Sequence, residues 1–404
     1  MSTSLLYHGF GISGYQYVRT RYEHGAIILC MDKSPTRLRC PECKSRNVIR
    51  KGTVVRKFKT MPIGLKPVFI ELAIQRVQCL ACGIVRQVKL GFADMRRTYT
   101  RAFKRYVLAL CRHMTIQDVA NHLGVGWDLV KDILKRRLWK RFKRPKLGHL
   151  ERIAIDEISI GKGHRYLTVV LDLHSGAVVF VGDGKGSDAL IPFWKRLKKS
   201  GADVKAVAID MSPAYIVAVF ENLPKAVIVF DRFHVMKLYN DRLSDLRRHM
   251  QREAEGPLQI KVLKGTRWLL LKNPENLNNE KDEAARLKRA LELNTPLSMA
   301  YYLKEDLRQF WNQKSKADAE AYLIAWIAKA RSSKVAMLMK MANTLAGHRY
   351  GLLAYFDHPI STGPLEGTNN KIKTLQRQAY GFRDKEFFKL RILGLHETRY
   401  ALVG

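Results

Sequence analysis

Two Cys-x-x-Cys pairs, Cys40-Pro-Glu-Cys43 and Cys79-Leu-Ala-Cys82, constrain the front of this chain more than any other feature. Each pair sets two thiols on one tight turn, and two such turns brought together make a closed tetrahedral zinc site. The alternative is a redox pair or incidental thiols; two pairs together favour structural Zn²⁺ held by Cys40, Cys43, Cys79 and Cys82. The 35 residues between the pairs are long for a minimal finger and suit a ribbon with extra strands. Within them Val68, Ile70, Leu72 and Ile74 alternate with Phe69, Glu71, Ala73 and Gln75, the period of a strand. Cys30 and Cys111 stand alone in apolar settings and read as core residues. Residues before 36 carry no strong signal.

Charge narrows the partner. The chain has 404 residues, 47% hydrophobic, with a net charge of +36. That length suggests two or three domains, and that charge a polyanionic partner. Residues 1–150 hold 31 Lys+Arg against 8 Asp+Glu, so the front third is the densest basic region. A membrane surface is the competing polyanion, but no 18-residue apolar run and no basic amphipathic helix with an aromatic face is present. The start MSTSLLYHGF lacks the layout of a signal peptide. A cytoplasmic protein associated with the nucleoid through DNA is therefore expected, and in the cytosol disulfides are disfavoured.

Three helical stretches follow the cysteines: TRAFKRYVLALCRHM, TIQDVANHLGV and GWDLVKDILKRRLWKRF. Thr115 is a good N-cap with Asp118 three residues on, close to a capping box. Val119, Ala120 and Leu123 supply the apolar face of the second helix, and Gly124 stands where a tight turn belongs. Leu129, Ile133 and Leu138 point the third helix to a core. Nine basic residues and one acid lie between Lys131 and Lys146. The pattern predicts a helix-turn-helix whose third helix enters the major groove, with Lys131, Lys135, Arg136, Arg137, Lys140 and Arg141 on DNA. An ordinary bundle with a solvated basic face is the plainer alternative.

After a linker near 143–150 the pattern turns to strands: RIAIDEISI, RYLTVVLDL, AVVFVGD, then VKAVAID and AVIVFD around helical stretches. From His234 to about Tyr355 nearly everything reads as helix. Asp156 and Asp210 each close an apolar strand run, so neighbouring strands would bring both carboxylates to one sheet edge, where Mg²⁺ or Mn²⁺ can be held with positions open for phosphate. Glu366 is the third carboxylate. Gly363-Pro364 marks its helix start, and Asn370, Lys373 and Arg377 share its face, with Leu365, Ile372, Leu375 and Ala379 opposite. Lys373 and Arg377 are further DNA contacts. A strand-end Asp is often only a turn former, and Asp172, Asp183 and Asp231 remain open on spacing alone. Glu157 should point to the opposite face from Asp156.

IDEISIGKGHRYLTVVLDLHSG, VAIDMSPAY, FDRFHV and STGPLEGTNNKIKTLQRQAYGFR together resemble the DDE transposases of bacterial insertion sequences, the ISL-three family in particular. The resemblance spans almost the whole chain. It implies a multidomain fold: a zinc ribbon-like domain with N-terminal extension (1–90), a helix-turn-helix (91–147) and an α/β ribonuclease-H-like catalytic core (148–404) with an all-helical insertion at about 235–358. It implies Asp156, Asp210 and Glu366 as the triad for two Mg²⁺ (or Mn²⁺) ions. Asp231 and His234, in a D-x-x-H string, are secondary site residues; their plain role is to cap the next helix and fill the core. The expected function is binding of terminal inverted repeats, then metal-dependent strand cleavage and strand transfer into target double-stranded DNA, by a homo-oligomer. The rivals are a ribonuclease-H-like nuclease without strand transfer, and a zinc and helix-turn-helix regulator with a silent catalytic domain.

Overall fold

The computed structural model describes residues 4–33, 38–161, 163–254, 256–292 and 294–397. They form two compact units, one of residues 1–143 and 375–404, the other of 144–374.

In the first unit a short helix, α1 (Leu5–Phe10), precedes a hairpin of β1 (Tyr15–Glu23) and β2 (Ala26–Lys33). The hairpin turns through His24 and Gly25, both at positive φ, as a tight two-residue turn requires. Strands β3 (Val48–Ile63) and β4 (Lys66–Cys79) form a second, longer hairpin, and β5 (Val85–Gln87) pairs with β4. The strand order is β1-β2-β4-β3. The alternation in β4 is that of a half-buried strand: Val68, Ile70, Leu72 and Ile74 are buried with Phe58, Leu29, Met31 and Phe92. Strand β1 gave no such signal because it lies at the sheet's edge with most residues exposed or half-exposed, so little apolar alternation is required of it.

The helix-turn-helix follows as α2 (Arg101–Leu110), α3 (Ile116–Leu123) and α4 (Trp127–Phe142). The capping box forms: Thr115 Oγ1 accepts from the Asp118 N–H at 3.2 Å and Asp118 Oδ2 accepts from the Thr115 N–H at 3.3 Å. Gly124 ends α3 in the left-handed region at φ 56°, where a side chain would be strained. Lys59 Nζ on β3 donates to the Leu123 and Gly124 carbonyls at 2.9 and 3.0 Å, satisfying acceptors that the helix end leaves open. Val119, Ala120 and Leu123 are buried, as are Ile133 and Leu138, whereas Leu129 is only half-buried and Val130 takes the core position. We expect Thr115→Ala to weaken α3 by ~1 kcal/mol, a roughly fivefold rise in the amide exchange rate of that helix. Unchanged exchange would show that the cap contributes nothing.

In the second unit, β6 (Arg152–Gly161), β7 (Arg165–Asp172) and β8 (Val178–Asp183) are consecutive antiparallel strands. After α5 (Ile191–Ser200), β9 (Ala206–Ile209) returns parallel to β6. After α6 (Pro213–Asn222), β10 (Val227–Phe230) lies parallel to β9. The order β10-β9-β6-β7-β8 is the ribonuclease-H-like arrangement. Its inner strand β9, AVAI, is buried throughout, as a strand covered on both faces must be.

From α7 (Arg232–Glu253) the described residues are helical: α8 (Pro257–Gly265), α9 (Arg267–Leu271), α10 (Glu283–Glu292), α11 (Thr295–Arg308), α12 (Lys316–Ser332), α13 (Ala336–Gly347) and α14 (Arg349–Asp357), with short 3₁₀ turns between some of them. Trp326, Tyr239 and Leu323 are buried among them. Gly351 seats α14 on the core sheet, because a Cβ there would come within 2.4 Å of the Phe230 ring of β10. The chain then enters α15 (Gly363–Gln378).

Candidate active site

Parallel pairing of β6 with β9 aligns Ile153 with Val207 and Ala154 with Ala208. Two residues further along each chain stand Asp156 and Asp210, on the same face because side chains alternate with period two. Asp156 is inside β6, opposite Val169 of β7, while Asp210 follows the end of β9. The edge is thus set where β9 stops and β6 runs on. Both carboxylates are half-buried. Burial pushes the Asp156 carboxyl above its ordinary range and the Asp210 charge adds to this, while His234 and the Glu157 N–H act against it.

Glu157 faces away, as its position requires. Its Oε1 accepts from Tyr215 Oη at 2.7 Å and from the Gly186 N–H at 3.1 Å, a contact that ties α6 to the sheet. Asp172 is consumed at the opposite end of β6, opposite Ile153, where it accepts from the His174 and Ser175 N–H groups. Asp183 is exposed at the end of β8, opposite Leu167 of β7. Two of the three carboxylates that spacing left open are thereby accounted for by turn formation or exposure.

The third, Asp231, is different. It caps α7 and is 2% exposed. Its Oδ1 accepts from the Thr362 N–H at 2.9 Å, in the turn that leads into α15. Its Oδ2 lies 3.3 Å from His234 Nδ1, and His234 Nε2 is 3.9 Å from Asp156 Oδ1. Burial opposes ionisation of Asp231, but the bonds from His234 and Thr362 outweigh it and its carboxyl falls below the usual range. Burial likewise disfavours His234 as a cation, yet the Asp231 bond and the Asp156 charge lift it above its ordinary value. Hydrogen bonds thus run from the turn before α15 through Asp231 to His234, whose far ring nitrogen stops 3.9 Å short of Asp156.

Glu366 is half-buried in the first turn of α15, its N–H bonded to the Thr362 carbonyl at 2.8 Å. One turn later Asn369 Nδ2 donates to Asp156 Oδ2 at 2.8 Å, across 213 residues of sequence. This contact docks the Glu366 helix at the carboxylate edge. Helix periodicity pointed to Asn370, which is exposed; its neighbour Asn369 is the buried one. The i+3 position shares a face with Glu366 as well as i+4 does, so the signal was present but ambiguous. Leu365, Ile372 and Leu375 are buried as expected, but Ala379 lies past the helix end and is exposed. Lys373 and Arg377 are exposed. Among the described residues, the only group of three or more metal-ligating side chains whose donor atoms all lie within 4.8 Å of one another is the cysteine cluster.

The cysteine cluster is closed. Cys40 Sγ is 3.7 Å from Cys82 Sγ and Cys43 Sγ is 3.5 Å from Cys79 Sγ. Burial opposes ionisation of Cys40, but backbone and thiol hydrogen bonds outweigh it and bring it to about 7. At Cys82 the Ile84 N–H favours the thiolate, but the neighbouring sulfurs prevail and push it up to about 12. Four thiols this close cannot all ionise without a cation among them, which is the donor set of structural zinc.

On α4, Arg136, Arg137, Lys140 and Arg141 are exposed. Lys131 and Lys135 both pair with Asp384, at 3.2 and 3.0 Å, and Lys135 also with Glu386 at 2.9 Å, acids at the start of the helix Lys385–Leu393, while Arg136 pairs with Asp132 at 2.8 Å. Sequence pattern cannot see acids 249 residues away. No helix among the described residues is long and apolar enough to cross a membrane.

Comparison with known proteins agrees with this layout. Residues 153–392 match the ISL3 family model described as Transposase. Residues 88–138 match the helix-turn-helix domain of transposase family ISL3, and 36–82 the zinc-finger of transposase IS204/IS1001/IS1096/IS1165. The transposase for insertion sequence element IS1001 of Bordetella parapertussis is 34% identical over 357 residues, 87% of each chain. That for IS1557 of Mycobacterium tuberculosis (strain CDC 1551 / Oshkosh) is 30% identical over 395 residues, 91% of this chain and 87% of the relative. A chain of the Drosophila P element transposase strand transfer complex superimposes distantly, with a TM-score of 0.37 at 13% identity, over 73% of this chain and 92% of that one. With a family match over more than half its length and relatives of this identity, the chain belongs to the ISL3 family of DDE transposases, enzymes that cut DNA and join its strands.

Proposed function

We propose that Asp156, Asp210 and Glu366 are the catalytic carboxylates and hold Mg²⁺, with Mn²⁺ as a substitute. The family implies a divalent metal. The observation that carries the assignment is the Asn369–Asp156 hydrogen bond, which brings the turn after Glu366 to the edge shared by Asp156 and Asp210. The residues suit such ions: the set is all oxygen and half-buried, and burial, with the Asp210 charge adding to it, disfavours ionisation of Asp156. Divalent cations held by Asp156, Asp210 and Glu366 would supply Lewis acidity to an in-line phosphoryl transfer. Asp156 and Asp210 project from the rigid sheet. Glu366 is delivered by a helix whose entry turn is pinned by Asp231. His234 stands between Asp231 and Asp156, at the edge where phosphate would approach. The zinc-binding segment (1–90) and the helix-turn-helix (91–147) bind the terminal inverted repeats, with Arg136, Arg137, Lys140 and Arg141 on the duplex, and Cys40, Cys43, Cys79 and Cys82 hold Zn²⁺. The catalytic segment (148–404) works on paired ends, so the active species is a homo-oligomer, acting on DNA in the cytoplasm.

The test is incubation of the purified chain with labelled end DNA and Mg²⁺ or Mn²⁺, with the cut mapped and joined products resolved. Cleavage at the element terminus followed by joining to a target duplex is the expected result. Cutting without joining would replace this reading with a plain nuclease, and end binding with no metal-dependent nicking would replace it with a regulator.

A further inference from the structure

Asn369 holds a buried atom that the three carboxylates leave unexplained. The residue is 7% exposed, its Nδ2 donates to Asp156 Oδ2 at 2.8 Å, and its Oδ1 is buried with no hydrogen-bond partner among the described residues. The amide cannot turn round, because that would set its oxygen against a carboxylate oxygen, two acceptors face to face. Oδ1 shares a carbon with Nδ2, so it too lies beside Asp156. A buried acceptor without a donor is costly, and native structures rarely keep one without reason. The neighbouring carboxylates offer no hydrogen to it, and His234 is already directed to Asp231 and Asp156. A bound group that carries its own hydrogens can supply the missing donor. Hard divalent cations held by a few carboxylates keep several waters, and each of those waters carries hydrogens to donate.

We propose that Asn369 is a positioning residue of the carboxylate site, its Nδ2 holding Asp156 in the orientation that receives a divalent cation and its Oδ1 accepting a hydrogen from the cation's hydration water. This rests on the reading of Asp156 as a cation ligand. It assigns different work to adjacent asparagines: Asn369 serves the metal site, while exposed Asn370 does not.

The experiment uses the zinc-loaded full chain. Mn²⁺ affinity is read from free Mn²⁺ by electron paramagnetic resonance without DNA, melting temperature is taken without Mn²⁺, and cleavage of end DNA is measured with Mn²⁺. Asn369→Leu removes an unpartnered buried acceptor but also the donor to Asp156 Oδ2, opposing effects that should leave the melting temperature close to wild type, while Mn²⁺ binds about 10–100-fold more weakly and cutting falls correspondingly. Asn369→Asp keeps the shape but sets a second carboxylate against Asp156. It should retain Mn²⁺ and still lose cleavage. Asp156→Asn is the control. If it loses Mn²⁺ and cleavage while Asn369→Leu matches wild type in both, the role given to Asn369 is overturned. If Asp156→Asn keeps both, the ligand assignment beneath it fails instead. A purely structural Asn369 would show a lowered melting temperature in Asn369→Leu, with stability and cleavage restored together in Asn369→Asp, and that result also overturns the proposal.

Discussion

Asp156→Asn will lower DNA cleavage on the order of 10³-fold or more, ~4 kcal/mol of barrier, while end-DNA affinity stays within about twofold. The asymmetry follows from where the side chain sits. Asp156 is part of the sheet edge, bonded to Asn369 and close to His234, and it lies on no DNA-binding helix. Nor will loss of fold imitate loss of chemistry. The Asp156 carboxyl is raised by burial and by Asp210. A folded-state value above the unfolded one means that folding disfavours the carboxylate at neutral pH, a penalty that fades as pH falls through the folded value. An uncharged isostere removes that penalty, so the melting temperature of Asp156→Asn should not drop. Asp210→Asn and Glu366→Gln are expected to fall in the same range. Wild-type cutting by any one of the three, in the end-DNA assay, would break the triad assignment.

Cys40→Ser will empty the zinc site and weaken end-DNA binding by about tenfold or more, ~1.4 kcal/mol. Metal content of the purified protein should fall from about one zinc per chain to near zero, because a three-thiolate remnant lacks the closed tetrahedral set. The damage should remain local. The sheet of the first unit has its own apolar core, with Phe58, Val68, Ile70 and Ile74 nearly inaccessible, so β3 and β4 should keep their pairing while the two cysteine turns loosen. Hydrogen exchange can separate these: faster exchange near Cys40–Cys43 and Cys79–Cys82, little change in β4. Full zinc retained by the variant would count against the four-cysteine set.

Much of this was legible in the chain itself. Two Cys-x-x-Cys pairs, the capping box at Thr115, Gly124 after α3 and the alternation in β4 are local rules, decided within a few residues by backbone geometry and by which side chains reach which amides. They read correctly because no distant partner is needed to set them. The edge strand β1 escaped notice for the converse reason: its burial pattern is mostly exposed, and a pattern that buries little leaves little trace.

Long-range choices behaved differently. Six carboxylates near strand ends look alike in one dimension. The sheet separates them: Asp156 and Asp210 share an edge through the β6–β9 register, Glu157 turns to Tyr215, Asp172 closes a turn, Asp183 stays exposed and Asp231 pins Thr362. Composition shows Lys131 and Lys135 as part of a basic run, and only the folded chain sets Asp384 and Glu386 beside them. Asn369 and Asn370 are adjacent in the string and opposite in fate, because a rotation of 100° per residue decides which one meets the sheet. The order of modules, the cysteine pairs, the cap and the pattern around Glu366 are written in the chain, since all of them depend on neighbours along it. Tertiary structure alone decided which strand-end acids share an edge, which acids pair with Lys131 and Lys135 and which asparagine touches Asp156, since burial and pairing across hundreds of residues come into being only when the chain has closed on itself.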